Sequence, residues 1–232
     1  NAESQEILRE KHYSKRKCKP LLSIGEARER AFRIDWRAED IPQPEFTGIR
    51  TEADFPLKTL VDYIDWSPFF HAWELRGVYP KIFEDEVVGD KAKELFDDAQ
   101  QMLRSIVDEK HFSAKCVYGI FPANRIGDDV ELFADNSRSE RVARFHFLRQ
   151  QGDKSNGENQ CLADFVASKD SGLSDHIGAF AVTTGHGVED FANSFEEAND
   201  DYSAILAKAL GDRLAESFAE YLHHRVRREL GY

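Results

Sequence analysis

Between Ala114 and Thr184 the apolar residues recur at every second position, while the segments on either side carry them at spacings of three and four. That change of period limits the folds open to the chain more than any other feature. "AKCVYGIFPA", "DDVELFA", "ARFHFLR" and "IGAFAVTT" read as strands. The first two are separated by "NRIGDD", long enough for a hairpin loop, and the polar "QGDKSNGENQ" reads as a surface loop. Before the strands, "VVGDKAKELFDDAQQMLRSIVDEK" places Ala92, Leu95, Phe96, Ala99, Met102, Leu103 and Ile106 on one helical face. After them come "VEDFANSFEEA" and a long helix with Ile205, Ala209, Leu210, Leu214, Phe218, Leu222 and Val226 as its apolar stripe. Strands grouped together between helix-rich ends imply an α+β fold with an antiparallel sheet, not alternating βαβ units.

A length of 232 residues suits one large domain or two small ones. The net charge of -12 argues against a general nucleic-acid binder or an anionic-membrane binder, and the basic run from Arg9 to Lys19 is too short to reverse that. Cys18, Cys116 and Cys161 lie far apart, which gives neither a disulfide framework nor a CxxC site and points to a reducing compartment, the cytoplasm. No apolar run approaches the roughly 20 residues of a membrane span, and no secretory signal opens the chain. Residues 1–20 read as a charged linker helix leading in from an upstream domain, followed by one domain over 21–232. Asn1 at the start and "HHRVRRELGY" at the end read as cuts in a longer polypeptide. Ser23 and Glu26 have capping-box spacing, and "DIPQPEFTG" reads as an extended crossing segment.

Motifs for catalysis are sparse. "TTGHGVED" sets Gly185 and Gly187 between a strand and a helix, but the third glycine of a dinucleotide loop is missing, so a glycine turn is the better reading. His223 and His224 point about 100° apart on a helix and cannot share an ion. No Cys or His pair stands at ligand spacing, and His71 and His146 fall in apolar stretches as core or boundary residues. Asp200 or Asp201 suits a helix cap, and Asp128-Asp129 a turn. No serine or cysteine stands in a nucleophile motif, so no catalytic residue is assigned.

"DYIDWSPFFHAW" poses a sharper question, because Asp65 is set among Trp66, Phe69, Phe70 and Trp73. One reading is structural: Ser67-Pro68 caps and opens a short helix, and Asp65 supports its start. The other is a carboxylate for a cationic ligand, with ring faces beside it for cation–π contact.

"LVDYIDWSPFF", "EDEVVG", "GIFPANRIGDDVELF", "CLADFVA" and "KALGDRLAESFAEYL" occur in an order that resembles the activation domain of cobalamin-dependent methionine synthase, over about Leu21 to Arg228. The resemblance implies a C-shaped α+β domain with a twisted antiparallel sheet flanked by helices. It also implies S-adenosylmethionine as ligand and cobalamin held mainly by another domain, with zinc confined to the substrate domains of the full enzyme. The implied role is support of reductive remethylation of cob(II)alamin, so that methyl transfer from methyltetrahydrofolate to homocysteine resumes. Its partners would be the cobalamin-binding domain and a flavodoxin-type electron donor, with no nucleic acid and no membrane. Of the family's ligand contacts, the aspartate of "YIDW" carries over, as Asp65. The family's RPAxGYP segment has no counterpart in this sequence, which leads one to expect weak ligand binding by residues 1–232 alone and a domain shortened at its C-terminus. A free-standing scaffold module of the same fold, contacting a corrinoid protein without a methyl donor, is the alternative.

Overall fold

A computed structural model describes residues 4–6, 8–9, 21–154 and 157–232. The 4–6 and 8–9 stretches are helical, but most of the expected linker helix, the basic run and Cys18 lie outside the described residues. The helices are α1 (Ile24–Glu29), α2 (Leu57–Leu60), α3 (Trp66–Ala72), α4 (Gly89–Asp108), α5 (Val188–Glu197) and α6 (Asp201–Leu230). The strands are β1 (Gly48–Phe55), β2 (Ser113–Ile126), β3 (Asp129–Phe133), β4 (Arg141–His146) and β5 (Asp175–His186). They form one sheet in the order β1-β2-β3-β4 with β5 also on β2, and the β1-β2, β2-β3 and β3-β4 pairs are antiparallel. This is the α+β class that the change of period implies. No helix among the described residues is long and apolar enough to cross a membrane.

The chain divides into two compact units, the first comprising Asn1–Ile41 with Phe121–Ile177 and the second Pro42–Ile120 with Gly178–Tyr232. The second unit holds the larger core, in which Leu60, Phe69, Phe70, Ile106, Leu210, Leu214 and Phe218 are essentially inaccessible. The α4 stripe is buried as the spacing predicts, with Phe96 and Met102 at its margin. On α6 the stripe begins one residue later than expected: Ile205 is 54% exposed, whereas Leu206 is 1%. In the first unit a smaller cluster joins Ala123, Val130, Leu132, Cys161, Ala163 and Val166.

Several local expectations need correction. β1 has no apolar alternation in its sequence, because it is an edge strand with mostly exposed side chains, held by its backbone pairing to β2. The β2–β3 hairpin is tighter than a six-residue loop: Ile126 pairs with Asp129 and only Gly127-Asp128 turn the chain. Gly127 has φ +60°, the glycine-first pattern of a two-residue hairpin. His71 and His146 are exposed and not core residues. His71 meets the Gly77 carbonyl and His146 an Asp129 carboxylate oxygen at 3.0 Å. The described part of "QGDKSNGENQ" is largely at the surface, but Asn159 is fully buried and its amide donates to the carbonyls of Gln150 and Gly152.

Other expectations hold. Ser23 and Glu26 form a reciprocal capping box on α1, and the Asp200 side chain caps α6 through the Ser203 N–H. Gly187, φ +93°, makes the turn from β5 into α5; an added Cβ would lie 2.1 Å from the His111 carbonyl oxygen.

Candidate functional site

Asp65 is the N-cap of α3: its Oδ1 accepts the Ser67 N–H at 2.9 Å, so the helix opens two residues earlier than a Ser67 cap would place it. Ser67 instead accepts the Tyr79 N–H through Oγ at 3.1 Å, tying the following loop to the helix. Asp65 is exposed, and its Oδ2 has no hydrogen-bond partner among the described residues. Its neighbouring rings do not gather around it. Trp66, Phe69 and Phe70 are buried and spend their faces on one another and on Phe96 and Phe83. The cap alternates a solvent-facing acid with inward rings because successive residues at a helix start diverge by about 100°. Trp73 lies half-buried against Tyr202, ring centroids 5.2 Å apart.

Two residues before Asp65, Tyr63 faces α6, where its hydroxyl lies 3.4 Å from His224 Nδ1. Tyr63 lines two adjoining hollows of about 280 and 500 Å³, whose other walls include His224 and Arg228. Beneath them Arg225 donates to Glu52 and, at 3.1 Å, to Glu229. The half of Asp65 that the cap leaves free and these hollows, walled by both glutamates and arginines, occupy the same unit.

The first unit contains a second polar constellation, built by "NRIGDD". Asn124, 3% exposed, donates its amide to the carbonyls of Ala167 and Leu173 and accepts from Arg138 at 2.7 Å. Arg149, buried, grips Asp164 with both terminal nitrogens at 2.8 and 2.7 Å and donates from Nε and Nη2 to Asp128 at 2.9 and 2.7 Å. Burial is the largest single influence on Asp164 and Asp128 and opposes their ionisation. The hydrogen bonds from Arg149, with those from Arg28 to Asp128 and from the Cys161 N–H to Asp164 and the nearby arginine charges, together outweigh it and hold both carboxyls below their usual range. Beyond the hairpin, Glu131 is 3% exposed on β3. It is held at about 2 by hydrogen bonds from Arg144 and Arg141, against the cost of burial, with Lys169 adding a third. Of these only Asp128 is given a structural role by the sequence, as a turn residue, although Asn124, Glu131 and Asp164 lie in motifs that carry the resemblance. The partners Arg149 and Asp164 lie 21 and 36 positions further on, at no motif spacing, so no local signal joins them.

Among the described residues no group of three or more His, Cys, Asp or Glu side chains is placed to hold a metal ion. Cys116 and Cys161 are buried free thiols, and burial pushes both pKa values up, which makes them poor nucleophiles.

Two comparisons bear on this arrangement. The family model described as "Vitamin B12 dependent methionine synthase, activation domain" matches residues 56–232, a span that opens just before α2 and takes in both Asp65 and the "NRIGDD" hairpin. A solved structure, "Crystal Structure of the MetH Reactivation Domain bound to AdoHcy", is 49% identical and superposes with a TM-score of 0.84 over 90% of this chain. The chain spans 64% of the length of that solved chain. With the family model matched over residues 56–232 and the fold shared at 49% identity, this chain belongs to the family of vitamin B12 dependent methionine synthase activation domains.

Proposed function

We propose that the chain binds S-adenosylmethionine and supports reductive remethylation of cob(II)alamin in a cobalamin-dependent methionine synthase, in the cytoplasm. The observation that carries this reading is the 49% identity to a reactivation domain whose structure contains S-adenosylhomocysteine, the demethylated form of that ligand. Cobalamin would be held mainly by another domain, zinc by the substrate domains, and the electron would come from a flavodoxin-type protein. No feature of the chain favours the alternative of a scaffold module without a methyl donor.

Asp65 fits the ligand's chemistry. One carboxylate oxygen is engaged in capping α3, and the other is exposed and unpaired among the described residues. S-adenosylmethionine carries an ammonium and a sulfonium and, when bound, supplies the methyl group from the latter. The exposed oxygen can accept a charge-assisted hydrogen bond from the ammonium, while the capping oxygen keeps the carboxylate from rotating away. The adjacent rings act indirectly, as the packed support beneath the cap, because their faces are already covered.

Asp65→Asn separates the two roles, since Asn caps a helix about as well as Asp but carries no charge. In the full-length enzyme, half-maximal reactivation should require about ten- to hundredfold more S-adenosylmethionine, equivalent to roughly 1.5–3 kcal/mol. Turnover with methyltetrahydrofolate and homocysteine should stay near normal. Equal loss of both activities would assign Asp65 to the fold alone.

A further inference from the structure

The hairpin turn at Gly127 forms one wall of a cavity of about 520 Å³ in the first unit. In a chain of net charge -12, five cationic side chains line this one hollow, Arg28, Arg33, Arg125, Arg149 and Lys169, against two acids, Asp128 and Asp170. Acids engage two of them. Arg149 is consumed by Asp128, Asp164 and the Asn159 carbonyl, and Lys169 reaches Glu131 at 3.1 Å. Three arginines remain only partly used. Arg28 spends its Nε on Asp128 and keeps both terminal nitrogens free, and Arg33 has no hydrogen-bond or ion-pair partner among the described residues. Arg125 donates from Nη1 to Asp164 at 3.2 Å, while its Nε is buried and has no partner among the described residues. A buried donor without an acceptor is costly, and here it belongs to a group lining an open, basic cavity.

We propose that this cavity binds a small phosphate-bearing ligand, an organic phosphate or diphosphate. Guanidinium groups recognise oxyanions through paired N–H donors, and three of them offer more donors than one carboxylate has oxygens to accept. A phosphate or diphosphate presents enough acceptors on one compact centre. The volume lies in the range of small-molecule sites, which leaves room for an organic group beyond the phosphate. Asp164 holds Arg125, and Asp128, itself in the cavity wall, holds Arg28, so these guanidiniums meet the anion already oriented. The site is built from residues of the first unit, whereas Asp65 belongs to the second, and it needs no S-adenosylmethionine.

Isothermal titration calorimetry of the full chain at low salt, with pyrophosphate, inorganic phosphate and citrate as probes, tests this. Pyrophosphate should bind with one-to-one stoichiometry and more tightly than phosphate or citrate. Arg33→Glu, at an exposed side chain without a protein partner, should weaken pyrophosphate by at least about tenfold with an unchanged melting curve. Arg125→Gln should weaken it likewise, but Arg125 also touches Asp164, so Arg33→Glu is the deciding variant. Lys91→Glu makes the same charge change at an exposed position of α4 and should leave binding intact. No detectable heat up to about 10 mM pyrophosphate, a concentration that would reveal even millimolar affinity, overturns the proposal. Equal effects of Arg33→Glu and Lys91→Glu would reduce it to general charge attraction, and tighter binding of citrate would overturn the phosphate assignment.

Discussion

Single residues in this chain carry two duties where a polar atom is left over from a structural one. Asp65 caps α3 with one oxygen and exposes the other, and Arg125 pairs with Asp164 through one nitrogen while another lacks an acceptor among the described residues. Glu131 is the opposite case, a buried carboxylate with both oxygens engaged, by Arg144, Arg141 and Lys169. Its folded value of about 2 lies below the ordinary 4.5. The unfolded chain therefore takes up this proton first as the pH falls. The stabilisation is complete above about pH 4.5 and is lost as the pH drops through the folded value, to a total of roughly 3 kcal/mol. Urea titrations at pH 5 and pH 2.5 should show that loss in the wild type and a clearly smaller one in Glu131→Gln. Parallel pH profiles for the two proteins would mean that the three cations do not hold this carboxylate.

Elements differ in how far their own sequences specify them. The α4 and α6 stripes are explicit in spacing, and the buried positions follow them, but periodicity alone misplaces the start of the α6 face by a residue. The helix can roll by a fraction of a turn until Leu206 and Leu210 meet the core, leaving Ile205 in water. Phe218 lies fully buried with its ring 4.6 Å from that of Phe55 on β1. Phe218→Ala should cost about 3–5 kcal/mol, and Ile205→Ala should stay within about 0.5 kcal/mol. Denaturant midpoints of the two variants check both figures. A midpoint unmoved by Phe218→Ala would remove α6 from the core, and a large shift from Ile205→Ala would restore the face drawn from spacing. β1 shows the limit from the other side, since "GIRTEADF" has no apolar alternation and exists as a strand because β2 offers it hydrogen bonds.

At the scale of the molecule, the two units are held by different means. The second has a large aromatic and aliphatic core, whereas the first has a small cluster with a buried ionic network across its loops. Arg149→Met should therefore cost about 3–5 kcal/mol, because it leaves the buried Asp164 and the half-buried Asp128 without their main partner. Hydrogen exchange read by mass spectrometry should show the lost protection in peptides from 121–134 and 159–177. Unchanged exchange in those peptides would mean that the network contributes little to the first unit.

The sequence by itself determined the class of fold, the long helices, the caps at Ser23 and Asp200 and the glycine turn at Gly187, all of which depend on residues within a few positions of one another. Its motifs also carried the resemblance to the activation domain that the family match establishes. Only the tertiary structure decided that the rings beside Asp65 face inward, that His71 and His146 are exposed, and that Asp128, Arg149 and Asp164 form one network. Periodicity reports the burial of a face but not the direction of an individual side chain at a helix end. Contacts between residues separated by 20 or more positions are set by how β2 and its neighbouring loops pack, which no spacing in the chain encodes.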